Sequence, residues 1–219
     1  MESVLVGYND PRLIKYYSKA EGGDIKDEKG NLIIAERNKI AGTYKGVPQG
    51  TGVTVKDENR YRLHSKSTIT KQTDAILMTA AEVWFLRAEA ALRGFTSENV
   101  KDCYEKGITV SCQQWGVNVG DYLTSDATPS DYVDAFEAKY DVKALIKVTP
   151  KWDGGASPEE QLERILTQKW IACYPEGYEA WTEQRRTGYP QLFKVFVNNS
   201  GGAIDTNIRT VSYTHLRAH

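Results

Sequence analysis

Ala80-Ala81-Glu82-Val83-Trp84-Phe85-Leu86-Arg87-Ala88-Glu89-Ala90-Ala91-Leu92-Arg93-Gly94 is the stretch on which the fold turns. Five alanines raise helix propensity and leave room for a neighbouring helix to come close. Reading backwards, the pattern predicts a helix from about Asp74 to Arg93, with Ile76, Leu77, Ala80, Val83, Trp84, Ala88, Ala91 and Leu92 as a broad apolar stripe interrupted by Arg87. Gly94 is a suitable C-terminal cap. Reading forwards, Ser97 opens a second helix in which Val100, Tyr104, Ile108 and Cys112 recur every four residues to about residue 115. Two such helices joined by a few residues must pack antiparallel, as in a tetratricopeptide unit, with Ala88 and Ala91 at the contact and Trp84 largely buried. One unit cannot bury its own face, so further helices must cover it.

Those helices are found on both sides. Asp10-Pro11-Arg12-Leu13-Ile14 reads as a helix start, Asp capping and Pro at the first position, with Leu13, Ile14 and Tyr17 at helical spacing and a stop before Gly22-Gly23. Ser157-Pro158-Glu159-Glu160 is a capping box; the helix behind it carries Leu162, Ile165, Leu166, Lys169 and Trp170 and ends at Pro175 and Gly177. Glu179 to Arg186 adds one or two turns before Gly188-Tyr189-Pro190. Thr128-Pro129 is predicted to start a helix with Tyr132, Phe136 and Tyr140 as an aromatic stripe. Between the first helix and the hairpin, residues 21–73 lack helical periodicity, hold seven glycines between Gly22 and Gly52, a turn at Lys29-Gly30-Asn31 and an apolar run at Leu32-Ile33-Ile34. Such long loop-rich stretches are often functional. The fold class is therefore all-α: tetratricopeptide-like hairpins with long irregular loops.

Composition narrows the function. Lys plus Arg is 28 against 29 Asp plus Glu, a net charge of −1, which argues against a general nucleic-acid binder. Three cysteines, Cys103, Cys112 and Cys173, form no metal-binding spacing with each other or with the three histidines, so no metal or cofactor is expected. No phosphate loop, nucleophile elbow or zinc-protease motif occurs. Aromatics are 11%, weighted to Tyr and Trp, types suited to half-wet positions and sugar faces.

Three stretches together resemble the SusD/RagB family of nutrient-binding outer-membrane lipoproteins: Asp10-Pro11-Arg12-Leu13; the alanine-rich helix 80–94; and Ile165-Leu166-Thr167-Gln168-Lys169-Trp170-Ile171-Ala172, running on through Gly177, Glu179-Ala180-Trp181 and Arg185-Arg186-Thr187-Gly188-Tyr189-Pro190. The resemblance covers about residues 8–209 and looks like the C-terminal part of the family pattern, without its lipoprotein signal, anchoring cysteine and helical N-terminal part. Domain 1–209 is thus expected to comprise the excursion 21–73, the hairpin 74–115 and the signature helices 157–190. Residues 210–219 depart from the pattern and read as a foreign tail. The resemblance implies a surface protein that binds oligosaccharide or peptide and passes it to a SusC-like TonB-dependent transporter, without catalysis. Two other classes remain open on the residues: an intracellular helical-repeat scaffold and an all-helical glycoside hydrolase.

A pyranose presents a C–H face that lies flat on an aromatic ring, so ligand residues are sought in loops. Tyr44, Trp152 and Trp115 are the candidates: the first inside the glycine-rich excursion, the others beside glycine turns. Glu179 and Glu183, four apart beside Trp181, Arg185 and Arg186, look like a glycosidase pair. Catalytic carboxyls, however, face each other about 5–10 Å apart across a cleft, whereas acids at i and i+4 beside Arg form structural ion pairs. Arg185 or Arg186 is expected to pair with Glu179 or Glu183 and to fix the 188–190 turn against the helix from Pro158.

Overall fold

A computed structural model of the protein describes residues 1–24, 26, 29–31, 39–50 and 60–198. The run Leu32-Ile33-Ile34, Gly52 and the tail 210–219 lie outside the described residues. The α-helices in chain order are α1 (Glu2–Gly7), α2 (Leu13–Tyr16), α3 (Ala80–Leu92), α4 (Val100–Gln114), α5 (Pro158–Ala172) and α6 (Gly177–Thr187). Short 3-10 turns lie at Arg60–Leu63, Gly120–Thr124 and Ala138–Tyr140, and the described residues pair as strands only through isolated bridges.

α3 and α4 form the hairpin, and α5 packs against both. α3 begins later than the alanine pattern suggested. Thr79 adopts an extended backbone and its side chain accepts from Glu82 N–H, so the helix starts at Ala80 and residues 74–79 run in irregularly. Leu77 is consequently 91% exposed. The buried face also sits one residue round from the expected stripe. Ala81, Phe85 and Ala88 are buried, whereas Val83 and Leu86 face out and Trp84 is half-buried under the Arg87 guanidinium, 3.8 Å from its ring. The reason is Gly107 of α4: a Cβ there would stand 2.8 Å from the Phe85 ring, so the glycine is the hole that admits the aromatic knob. Gly94 (φ +76°) ends α3, with Phe95 N–H on Ala90 C=O and Gly94 N–H on Ala91 C=O.

α5 starts at the expected capping box: Ser157 Oγ accepts from Glu160 N–H, and Glu160 Oε2 accepts from Ser157 N–H at 3.0 Å. α6 ends at Gly188 in the left-handed region (φ +88°). Two expectations fail. No α-helix follows Thr128-Pro129. Tyr132 and Val142 exchange backbone hydrogen bonds in an antiparallel bridge, and Asp134 Oδ1 accepts from Phe136 and Glu137 N–H, in place of the carbonyls that a helix running through Tyr132 would offer them. The helix at Asp10-Pro11 is one turn, from Leu13 to Tyr16, and Asp10 does not cap it.

Asp10 instead receives Arg12. The guanidinium, fully buried, donates to both Asp10 carboxylate oxygens (2.9 and 2.6 Å), to Ser111 Oγ of α4 and to Gln168 Oε1 of α5, while Tyr122 O–H donates to Asp10 Oδ2 at 2.7 Å. One buried ion pair thus ties α2, α4, α5 and the 120–124 turn together. Burial alone would raise the Asp10 pKa; the Arg12 charge and hydrogen bonds outweigh it and hold the carboxyl below its usual range.

Candidate functional site

The segments around α1 wall a half-open cavity of about 380 Å³. Its wall is built from α1 with Leu13 and Tyr17, the loop 44–49, the segments at 129–132 and 142–146, Trp170 of α5, and the irregular run 191–196. Every one of these comes from a different part of the chain, and α5 contributes Trp170. The lining is mostly apolar, with aromatic surface from Tyr17, Tyr44, Tyr132, Trp170, Phe193 and Phe196.

Polar groups in the wall are largely spoken for by one another. Lys45 Nζ donates to Glu2 Oε1 at 2.8 Å and lies 4.6 Å from the Tyr132 ring centroid. Glu2 Oε2 accepts from Gly46 N–H at 2.6 Å. Both side chains are largely buried, so the pair puts no uncompensated charge on the cavity. A Cβ at Gly46 would sit 3.2 Å from the Glu2 Cβ, a tight contact that glycine avoids. Gly46 C=O is held from behind by His64 Nδ1 at 2.8 Å and Tyr132 O–H at 3.2 Å. Burial lowers the His64 pKa, against the hydrogen bond to Gly46. The Tyr17 hydroxyl is pushed up to about 12, by burial first and Tyr174 second, and Tyr132 is also raised by burial, so both stay neutral near pH 7. The result is an aromatic cavity whose Glu2–Lys45 pair is internally neutralised, with Lys194 as a further cation in the lining, and whose rings suit a solute with apolar faces.

Of the sequence candidates, Tyr44 lines the cavity, half-buried. Trp152 and Trp115 do not. Trp152 packs against Tyr104 with ring centroids 5.2 Å apart, and Trp115 meets the Tyr16 ring edge-on at 4.8 Å beside Tyr174. Glu2 and Lys45 were not singled out in the sequence, and Tyr132 and Trp170 were read there as helix-stripe residues and not as cavity lining. Gly46 between a lysine and a proline-bearing loop was the one local hint of close backbone approach.

The acidic signature on α6 is structural chemistry of a different kind. Lys169 of α5, 1% exposed, donates to Glu179 Oε1 and to Glu183 Oε1, both at 2.8 Å. Glu183 also accepts from Arg186, which forks onto both oxygens of Glu89 on α3 at 2.7 and 2.6 Å. The expected Arg–Glu pair is therefore Arg186–Glu183, within a longer relay that joins α3, α5 and α6. Arg185 stacks over Trp181 at 4.3 Å instead. Tyr189 O–H donates to Glu159 at 2.8 Å, fixing the turn after α6 to the start of α5. The three cysteines are buried free thiols. Among the described residues no group of His, Cys, Asp or Glu is arranged to hold a metal ion, and no helix is long and apolar enough to cross a membrane.

Helical hairpins of the tetratricopeptide kind, elaborated by long loops that wall a cavity, define the class: an all-α, loop-elaborated helical-repeat protein. The family model described as SusD and RagB outer membrane lipoprotein matches residues 1–218, and the chain belongs to that SusD-like family. Among solved structures it is similar to a SusD homologue from Bacteroides vulgatus, at 50% identity and a TM-score of 0.81, over 94% of this chain and 40% of that one. A chitin-binding SusD homologue from Flavobacterium johnsoniae is 37% identical with a TM-score of 0.79, over 95% of this chain and 40% of that one. A SusD homologue from Bacteroides thetaiotaomicron is also 37% identical, with a TM-score of 0.76, over 94% of this chain and 40% of that one. The chain thus spans about 40% of the length of these structures. No curated protein matches it.

Proposed function

We propose that this chain is the C-terminal part of a SusD-like cell-surface lipoprotein that binds an oligosaccharide or related nutrient, leaves it chemically unchanged and presents it to a SusC-like TonB-dependent transporter. The observation that carries the reading is the family, joined to an aromatic cavity in which the charges of Glu2 and Lys45 neutralise one another and Lys194 is a further cation in the lining. A neutral sugar loses its water on entry, and its C–H faces regain contact on Tyr44 and the neighbouring rings. The chitin-binding relative supports a saccharide before a peptide. Binding rather than hydrolysis is supported by Glu179 and Glu183: both carboxylates are engaged by Lys169 instead of flanking an open cleft. Tyr44 is the proposed ligand contact. Trp152 and Trp115 are half-buried and are proposed to bear on the ligand through the loops they pin.

Screening the chain on a glycan array, followed by assay of the bound glycan for new reducing ends, tests the role. The expected outcome is selective binding at micromolar-to-millimolar affinity, about −8 to −4 kcal/mol, with no reducing ends released. Release of reducing ends, or indifference to every glycan and peptide offered, refutes it.

A further inference from the structure

The half-open cavity has one wall unlike the others. Gln191, Leu192, Phe193, Lys194 and Phe196 line it in an irregular run after α6. The other loop segments are bonded in place: Gly46 N–H to Glu2, Ser130 N–H to Ser3 C=O, and Tyr132 to Val142 in both directions. Among the described residues, Gln191 to Val195 give and take no hydrogen bond and make no ion pair. Backbone with no protein partner opens locally at small cost. Both ends of the run are nevertheless fixed. On the α6 side, Thr187 Oγ1 donates to Glu183 C=O at 2.7 Å, and Tyr189 O–H to Glu159 at 2.8 Å. On the other side, Phe196 N–H donates to Gln49 C=O at 3.1 Å and Val197 N–H to Gly50 C=O at 2.8 Å. Gly50 suits that anchor: its φ is +70°, and a Cβ would stand 3.1 Å from Val197 O and 3.2 Å from Val195 Cβ. An unbonded stretch therefore hangs between two anchors, one of them the loop that carries Tyr44.

We infer that residues 191–195 are a strap that closes over a saccharide in the cavity and lays the Phe193 ring on the sugar face turned away from Tyr44. The inference rests on the saccharide reading above and adds to it a second set of contacts and the motion that makes them. A sugar seated on Tyr44 alone keeps its other face in water, whereas binding sites bury most of a ligand's surface. Leu192 and Phe193 are half-buried apolar side chains on the wall segment that can move onto that face. Lys194 beside them is exposed, and its ammonium brings donors to the ring hydroxyls as the strap closes. The anchors at Tyr189 and Phe196 bound the movement, and the frame of α3, α4 and α5 takes no part in it. Closure of a short segment in this way holds a ligand by slowing its release.

Hydrogen–deuterium exchange of the whole chain at short labelling times, paired with calorimetry, tests this with chitotriose, cellotriose, xylotriose and maltotriose as probes. The parent is expected to bind at least one of them, and that sugar to slow exchange across 191–195 about fivefold or more while α3 and α4 exchange as before. Phe193→Ala is expected to bind about fivefold or more weakly and to lose the protection, at the urea midpoint of the parent. Phe193→Tyr, which keeps the ring, is expected to keep both. Binding unchanged in Phe193→Ala, with 191–195 exchanging as in the free chain, overturns the strap and leaves the cavity reading standing. Weakened binding in Phe193→Ala without protection of 191–195 in the parent also overturns it, because Phe193 is then a fixed part of the wall. Slow exchange of 191–195 in the sugar-free chain overturns it as well, because the run is then already closed. A parent that binds none of the four sugars removes the cavity reading and the strap together.

Discussion

Arg12 spends four of its donors on Asp10, Ser111 and Gln168 in a site with no water-exposed surface. Deleting one partner of such a pair leaves the other charge buried alone, which outweighs the loss of the bond itself. Arg12→Met is therefore expected to destabilise the chain by about 3–5 kcal/mol, read as a drop in the urea midpoint at unchanged slope. An effect under about 1 kcal/mol, the range of exposed pairs, would mean the pair is solvated. His64 gives a pH dependence. Burial lowers its folded pKa, so the unfolded chain takes up the proton first as the solution is acidified. The contribution is complete above the unfolded value of about 6.5 and is lost as pH falls from there through the lowered folded value. Denaturation midpoints should fall between pH 7.5 and pH 5, and His64→Asn should flatten that slope. An unchanged slope would show that His64 is already charged or already wet.

At the scale of the element, α3 and α4 depend on one close approach. Gly107→Ala puts a methyl group into the Phe85 ring and is expected to cost about 1–3 kcal/mol by overpacking, even though alanine favours the helix more than glycine does. A stabilised variant in chemical denaturation would contradict the packing. Elements whose ends are written in side chains were legible from sequence: the Ser157 capping box, the Gly94 stop, and the Gly188 end of α6. Elements decided by competition between partners were not. Thr79 takes the start of α3 from the apolar residues before it, and Asp134 takes the amides that a helix through Tyr132, Phe136 and Tyr140 would have used. The same limit hid the Asp10–Arg12 pair, since two charges beside a proline look like a surface cap until α4 and α5 close over them. It hid the role of Lys169 too, which reads as the polar break in an apolar helix face and is the cation between two glutamates.

Over the whole molecule, α3, α4 and α5 form the frame and the irregular segments form the cavity on one side of it. The family was readable because its motifs are contiguous in the chain. The cavity was not, because residues as distant as Glu2, Lys45, Tyr132 and Trp170 meet only after folding; Tyr44 was found from its loop position alone. The central claim is that this cavity is where a saccharide binds. Calorimetric titration of the parent and of Tyr44→Ala, with the best oligosaccharide from the array, tests it most directly. The account predicts binding to the parent and at least a tenfold loss in Tyr44→Ala, about 1.4 kcal/mol, at unchanged folding stability. A Tyr44→Ala variant that binds as the parent does would contradict it.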